Sequence, residues 1–216
     1  MDKQELKDLT VSVFDKLRQA IKTGDEKKAL ELVSEIDRQK HAFDESYREW
    51  IDLMLTYIGD HCGEEAVYEI HRKNGENTLL PMFESYRKLT NIEDKIRKRA
   101  VTWTDFHMST IKEIEEDEEK FTFKIRCDSG GNIRLWPKYG KTKEAHPWSH
   151  GEKDFCYYCA HCPTVLEIMC IEETGYPAWI SEPQPGGMCH QYFYKDPDAI
   201  PEKYYKRVGM EKKKKA

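Results

Sequence analysis

No stretch of this 216-residue chain is apolar for long. With 35% charged residues and a mean hydropathy of −0.83, it holds no segment suited to crossing a bilayer as a helix. A dominant charge is missing as well: Lys and Arg total 35 and Asp and Glu total 40, a net charge of −5. Neither half is a strong cation, so general nucleic-acid binding is not expected. The opening residues, Met1 to Lys7, lack the basic and apolar regions of a secretory signal. A disulfide framework is a poor reading of seven cysteines, an odd number. These absences predict a soluble, cytoplasmic protein. Its aromatic content of 12% is too high for a disordered chain, and a chain of this length buries about 70% of its unfolded surface. The expected partners are a small-molecule substrate and further copies of the same chain, with no nucleic acid and no membrane.

The sequence has two grammars. Residues 1–110 read as helices joined by short polar links, an antiparallel helical region. Leu6, Leu9, Val13, Leu17 and Ile21 recur at helical steps, and Thr23-Gly24-Asp25 ends that helix and caps the next. Ala29, Leu30, Val33 and Ile36 continue the pattern in a second helix. Trp50 to Ile58 gives a third, stopped at Gly59, and a shorter one starts at Gly63-Glu64-Glu65. Pro81 opens another with Met82, Phe83, Tyr86 and Leu89, and Ile92 to His107 adds one more. From Ile111 the pattern changes. An acidic run, Glu113 to Glu119, reads as a solvated face ahead of an alternating strand, Phe121 to Arg126. Ser129-Gly130-Gly131-Asn132 reads as a turn and Ile133 to Trp136 as a returning strand. A loop-rich stretch follows, then a helix over Thr164–Glu173 and strands at Ala178–Ser181 and Met188–Tyr194. Residues 111–210 are therefore α+β and mainly antiparallel, with a Cys/His-rich loop, and 211–216 form a Lys-rich flexible tail.

The chemistry gathers in that second half, which carries six of the seven cysteines and four of the eight histidines. The densest group is Cys156-Tyr-Tyr-Cys159-Ala-His161-Cys162-Pro163. Two thiolates two residues apart can wrap one metal ion, and zinc then needs two more N or S ligands. Cys156, Cys159, His161, Cys162 and the distant Cys189 are the candidate ligands, and zinc is the candidate cofactor. The ferredoxin run of an iron–sulfur cluster would want, after Cys156, Cys159 and Cys162, three more residues and then a fourth cysteine directly before the proline; here Pro163 follows Cys162 at once, so that cluster is the lesser candidate. Thiol chemistry without metal, and plain structural packing, stay open for the same residues. Cys127 is the second candidate. It ends a strand directly before Ser129-Gly130-Gly131, whose backbone N–H groups can cradle an anion and favour a nucleophilic thiolate. A buried cysteine at a hairpin edge is the plain alternative. Third is Gly186-Gly187-Met188-Cys189-His190. On a strand, Cys189 and His190 face opposite sides, so His190 serves as general base only if it faces the site. Gly130, Gly131, Trp148 and Tyr158 are candidates to line a substrate pocket.

Gly63-Glu64-Glu65-Ala66, the strand ending Phe123-Lys-Ile-Arg126-Cys127, and Gly186-Gly187-x-Cys189-x-x-Tyr192-Phe193 together resemble the bacterial 2-amino-thiazoline-4-carboxylate hydrolase-like family over residues 55–195. The resemblance implies hydrolysis of a C=N or C–N bond in a small cyclic substrate, with Cys127 and Cys189 matching the family's two cysteines. The Cys156–Cys162 stretch departs from it in being far richer in thiols. The expectation is a small-molecule hydrolase using Cys127 and His190. The alternative is a non-enzymatic zinc-binding sensor or scaffold module.

Overall fold

A computed structural model describes residues 10–79 and 91–213. The helix expected from Pro81, the start of the first helix and the last residues of the tail lie outside these. The fold is α+β, as expected. The chain divides into two compact units, Met1–Tyr47 and Arg48–Ala216.

In the first unit, α1 (Val13–Thr23) begins where the Ser12 hydroxyl accepts the Asp15 N–H. It ends at Gly24, whose φ of 71° only glycine takes without strain. Next, α2 (Glu26–Cys62) begins as the Asp25 carboxylate accepts the Lys28 N–H at 3.0 Å, and its residues from Arg48 on belong to the second unit. The second and third helices expected from the sequence are one helix, because no glycine or proline interrupts residues 26–58. Gly59 lies inside it rather than ending it. A Cβ there would meet the Tyr157 ring at 2.6 Å, so this glycine permits a close approach; the break comes at Gly63, where φ is 90°. Helical spacing was correctly read, but not burial: Leu30 and Val33 are 62% and 51% exposed.

The second unit holds α3 (Glu64–Asn74), α4 (Ile92–Val101) and a four-stranded antiparallel sheet. Its strands are β1 (Thr110–Glu116), β2 (Lys120–Arg126), β3 (Ile180–Pro183) and β4 (Met188–Tyr194), in the order β1-β2-β4-β3. The acidic run is thus largely an edge strand in its own right, its Glu113 and Glu115 paired with Lys124 of β2 at 3.0 and 2.5 Å. No strand returns over Ile133–Trp136. Both edges of β2 are already hydrogen-bonded, to β1 and to β4, so residues Gly130–Ile133 coil into a helical turn instead.

Register puts Phe121, Phe123 and Ile125 opposite Phe193, Gln191 and Cys189 on the buried face. Against that face packs the segment that the sequence assigned to one helix. It is π-helical over Cys162–Met169 and then α-helical as α5 (Cys170–Thr174). Val165, Leu166 and Met169 join the core that includes Phe123, Ile125 and Trp179. Ile168 and Ile171 join a second core with Trp148, Tyr157 and Tyr205, the last in α6 (Glu202–Lys206). This segment therefore contributes to both cores, and its first residue is a cysteine.

Candidate functional site: a thiol-lined chamber beside a cleft

Three stretches far apart in sequence supply the sulfurs. Continuing the inward face of β2, Cys127 follows Ile125 by two residues, and its N–H donates to Gly187 O at 3.1 Å. The Ser129 hydroxyl lies 3.2 Å from its sulfur and the Gly131 N–H donates to it. That helical turn depends on two glycines. A Cβ on Gly130 would meet the Cys159 sulfur at 2.6 Å, and one on Gly131 would collide with the Gly187 carbonyl oxygen. Cys189 is opposite Ile125 on β4 and so shares the inward face with Cys127.

The third stretch is the Cys156–Cys162 loop. Tyr157 N–H donates to Gly140 O at 2.8 Å, and Tyr158–Ala160 makes one 3₁₀ turn. This turn places Cys159 one turn on from Cys156. His161 follows, with Nδ1 2.7 Å from Tyr158 O and Nε2 3.4 Å from the Cys162 sulfur. The carbonyl fixes the proton on Nδ1, leaving the Nε2 lone pair facing the thiol. Cys162 itself starts the π-helical segment, ahead of Pro163.

Cys127, Cys159, Cys162 and Cys189 line one chamber of about 30 Å³, together with His161 and Arg134. Beside it opens a cleft of about 740 Å³. The two share Arg134, His150, Phe155, Cys159 and Pro183 as a common wall. Burial keeps the thiols protonated. It raises Cys127, with the neighbouring Cys159 adding to the rise, against the hydrogen bonds from Ser129 and Gly131. Cys162 is pushed up to about 11 by burial, and Cys189 goes well above the ordinary range for the same reason. Cys159 is raised by the neighbouring Cys156 and then by burial. The guanidinium of Arg134 favours the thiolates of Cys159, Cys162 and Cys189 but does not outweigh desolvation. Burial also lowers His161, so its imidazole is neutral.

The sequence reading missed one group. Glu167 lies midway along the π-helical segment, completely buried, in a run otherwise spaced for core. It accepts from Arg207 at 2.7 Å, from the Ser181 N–H at 3.2 Å, and lies 3.2 Å from Nε2 of His150. Burial alone would raise its carboxyl, but His150 and Arg207 together hold it below the ordinary value. A carboxylate among Val165, Leu166, Ile168 and Met169 was the available signal.

The remaining predicted residues divide cleanly. Gly130 and Gly131 line the chamber, and Cys156 lines the cleft while only 2% exposed. On β4, His190 alternates with Cys189 and is opposite Lys124 and Glu182, so it lies on the other sheet face and lines neither cavity. Trp148 is a core residue, stacked on His146 and Tyr68 at ring distances of 4.6 and 6.1 Å. Tyr158 stands edge-on to His161 at 5.6 Å and lines neither cavity. Among the described residues, no group of three or more His, Cys, Asp or Glu side chains is arranged to hold a metal ion, and no helix is long and apolar enough to cross a membrane. Together these features define an α+β protein with a buried thiol cluster bordering an open cleft. Comparison with protein families, curated proteins and solved structures finds no match to the chain.

Proposed function

We propose that the protein is a cysteine-dependent hydrolase of C–N or C=N bonds in small molecules. The nucleophile is Cys162 rather than Cys127, and the base is His161 rather than His190. One observation carries this reading: the 3.4 Å approach of His161 Nε2 to the Cys162 sulfur, inside a chamber sharing a wall with a ligand-sized cleft. Because both groups are neutral at rest, the sulfur attacks the substrate carbon as its proton passes to Nε2. The Tyr158 carbonyl, held by Nδ1–H, steadies the imidazolium that forms. That proton then goes to the leaving nitrogen, and the same imidazole draws a proton from the water that releases the acyl group. Arg134, common to chamber and cleft, supplies positive potential over the developing negative charge.

A panel of small amides, amidines and cyclic imines, scored by released ammonia or amine, tests the reading. Cys162→Ser and His161→Gln are each expected to cut kcat/KM by about 10²–10⁴ on any substrate found. Full turnover by both variants rejects it.

A second reading rests on the four thiols that line one chamber, where Cys159 and Cys162 make ionising Cys127 harder and all three make ionising Cys189 harder. A thiophilic cation such as zinc would remove that penalty and draw Cys127, Cys159, Cys162 and Cys189 onto itself. Four sulfur ligands would close the site and make the protein a binding module. Elemental analysis of the purified chain decides: close to one zinc per chain favours this reading, and a metal-free, active preparation rejects it.

A further inference from the structure

The thiol pair outside the proposed nucleophile–base couple has chemistry of its own. Cys156 and Cys159 stand one turn apart, with the Ala160 N–H donating to Cys156 O at 3.2 Å. Residues three apart on such a turn lie on one side of it, which sets the two side chains beside each other. Both cysteines are free, and both residues line the 740 Å³ cleft, which is large enough to admit a small organic disulfide. They differ in access: Cys159 is half-buried, whereas Cys156 is 2% exposed.

The geometry points to Cys156 and Cys159 as a dithiol–disulfide couple that exchanges with small-molecule disulfides entering the cleft. Cys159 is the attacking thiol and Cys156 the resolving one. In the first step the Cys159 thiolate attacks one sulfur of the small disulfide. That S–S bond breaks, a mixed disulfide forms, and one small thiolate leaves and takes up a proton. In the second step the Cys156 sulfur attacks Cys159, loses its proton and displaces the second small thiol. Two protein thiols become one disulfide while the oxidant, reduced by two electrons, becomes two thiols. Since Cys159 also forms part of the chamber wall, the exchange alters the partition between chamber and cleft. The inference is independent of the hydrolase reading, which uses Cys162 and His161.

The test uses the full chain, reduced, desalted and exposed to oxidised glutathione. Free thiols are then blocked with N-ethylmaleimide, and the protein is mapped by mass spectrometry without reduction. The expected product joins Cys156 to Cys159 and releases two reduced glutathiones per chain. In Cys156→Ser the reaction should halt at the mixed disulfide, leaving one glutathionyl group on Cys159. Alkylation of both Cys156 and Cys159 in the exposed wild-type chain overturns the inference. So does a disulfide that joins Cys159 to Cys127, Cys162 or Cys189. The wild-type map stands whether or not the serine variant folds.

Discussion

At the scale of single residues, the most consequential group is Glu167. A completely buried carboxylate is tolerable only because Arg207, His150 and the Ser181 amide surround it. Glu167→Gln sets a neutral amide against the Arg207 guanidinium in a buried site and should cost about 3–5 kcal/mol in urea unfolding. The pH dependence follows from the direction of the shift. Glu167 titrates below its ordinary 4.5 in the folded chain, so the stability it contributes is complete above pH 4.5 and disappears as the pH falls through the folded value. The variant should therefore show a shallower acid limb than the wild type in unfolding curves taken between neutral and acid pH. A wild-type limb equally shallow would mean that the carboxylate is not ionised in the fold.

At the scale of elements, the inward face of β4 ties the helices to the sheet through one amide. Gln191, fully buried, accepts from the indole N–H of Trp103 at 3.0 Å and from Arg99 of α4 at 3.2 Å, while its own amide donates to Ser181 of β3 at 3.3 Å. Arg99 is in turn stacked on Trp179, 4.0 Å from the ring centre. Gln191→Leu keeps the volume but removes the acceptor that Trp103 and Arg99 share, which should lower stability by about 1–3 kcal/mol in thermal or chemical melts. A variant as stable as the parent would show that the Trp103 and Arg99 donors find other partners. The alternation of Met188–Tyr194 was readable as a strand. That Gln191 should be buried among polar partners was not, because two of its three partners come from residues about ninety positions upstream.

For the molecule as a whole, the decisive feature is convergence. The Cys127 turn, the Cys156–Cys162 loop and the Gly186–Cys189 bend meet around one chamber, and glycines let them approach. A Cβ on Gly131 strikes backbone, the Gly187 carbonyl, whereas one on Gly130 strikes the Cys159 side chain, which can rotate away. Gly131→Ala should therefore destabilise by about 1–3 kcal/mol, and Gly130→Ala by less. Alkylation rates at Cys159 should change in the Gly130 variant. Equal melting temperatures for the two variants would contradict this packing.

The sequence by itself determined the α+β class, the helical spacing of the described part of the first half, strands β2 and β4, and the half of the chain that carries six of the seven cysteines. These follow from local periodicity and composition, which act through neighbours a few residues apart. It could also place Cys189 and His190 on opposite faces, since that is a property of any strand. Only the tertiary structure decided that Gly59 admits a tyrosine ring instead of stopping a helix, and that Gly130–Ile133 coils because both edges of β2 are taken. It also decided that Cys162 faces His161 and that Trp148 belongs to the core. Each of these depends on which distant segment arrives at a given surface, and no local pattern encodes that arrival.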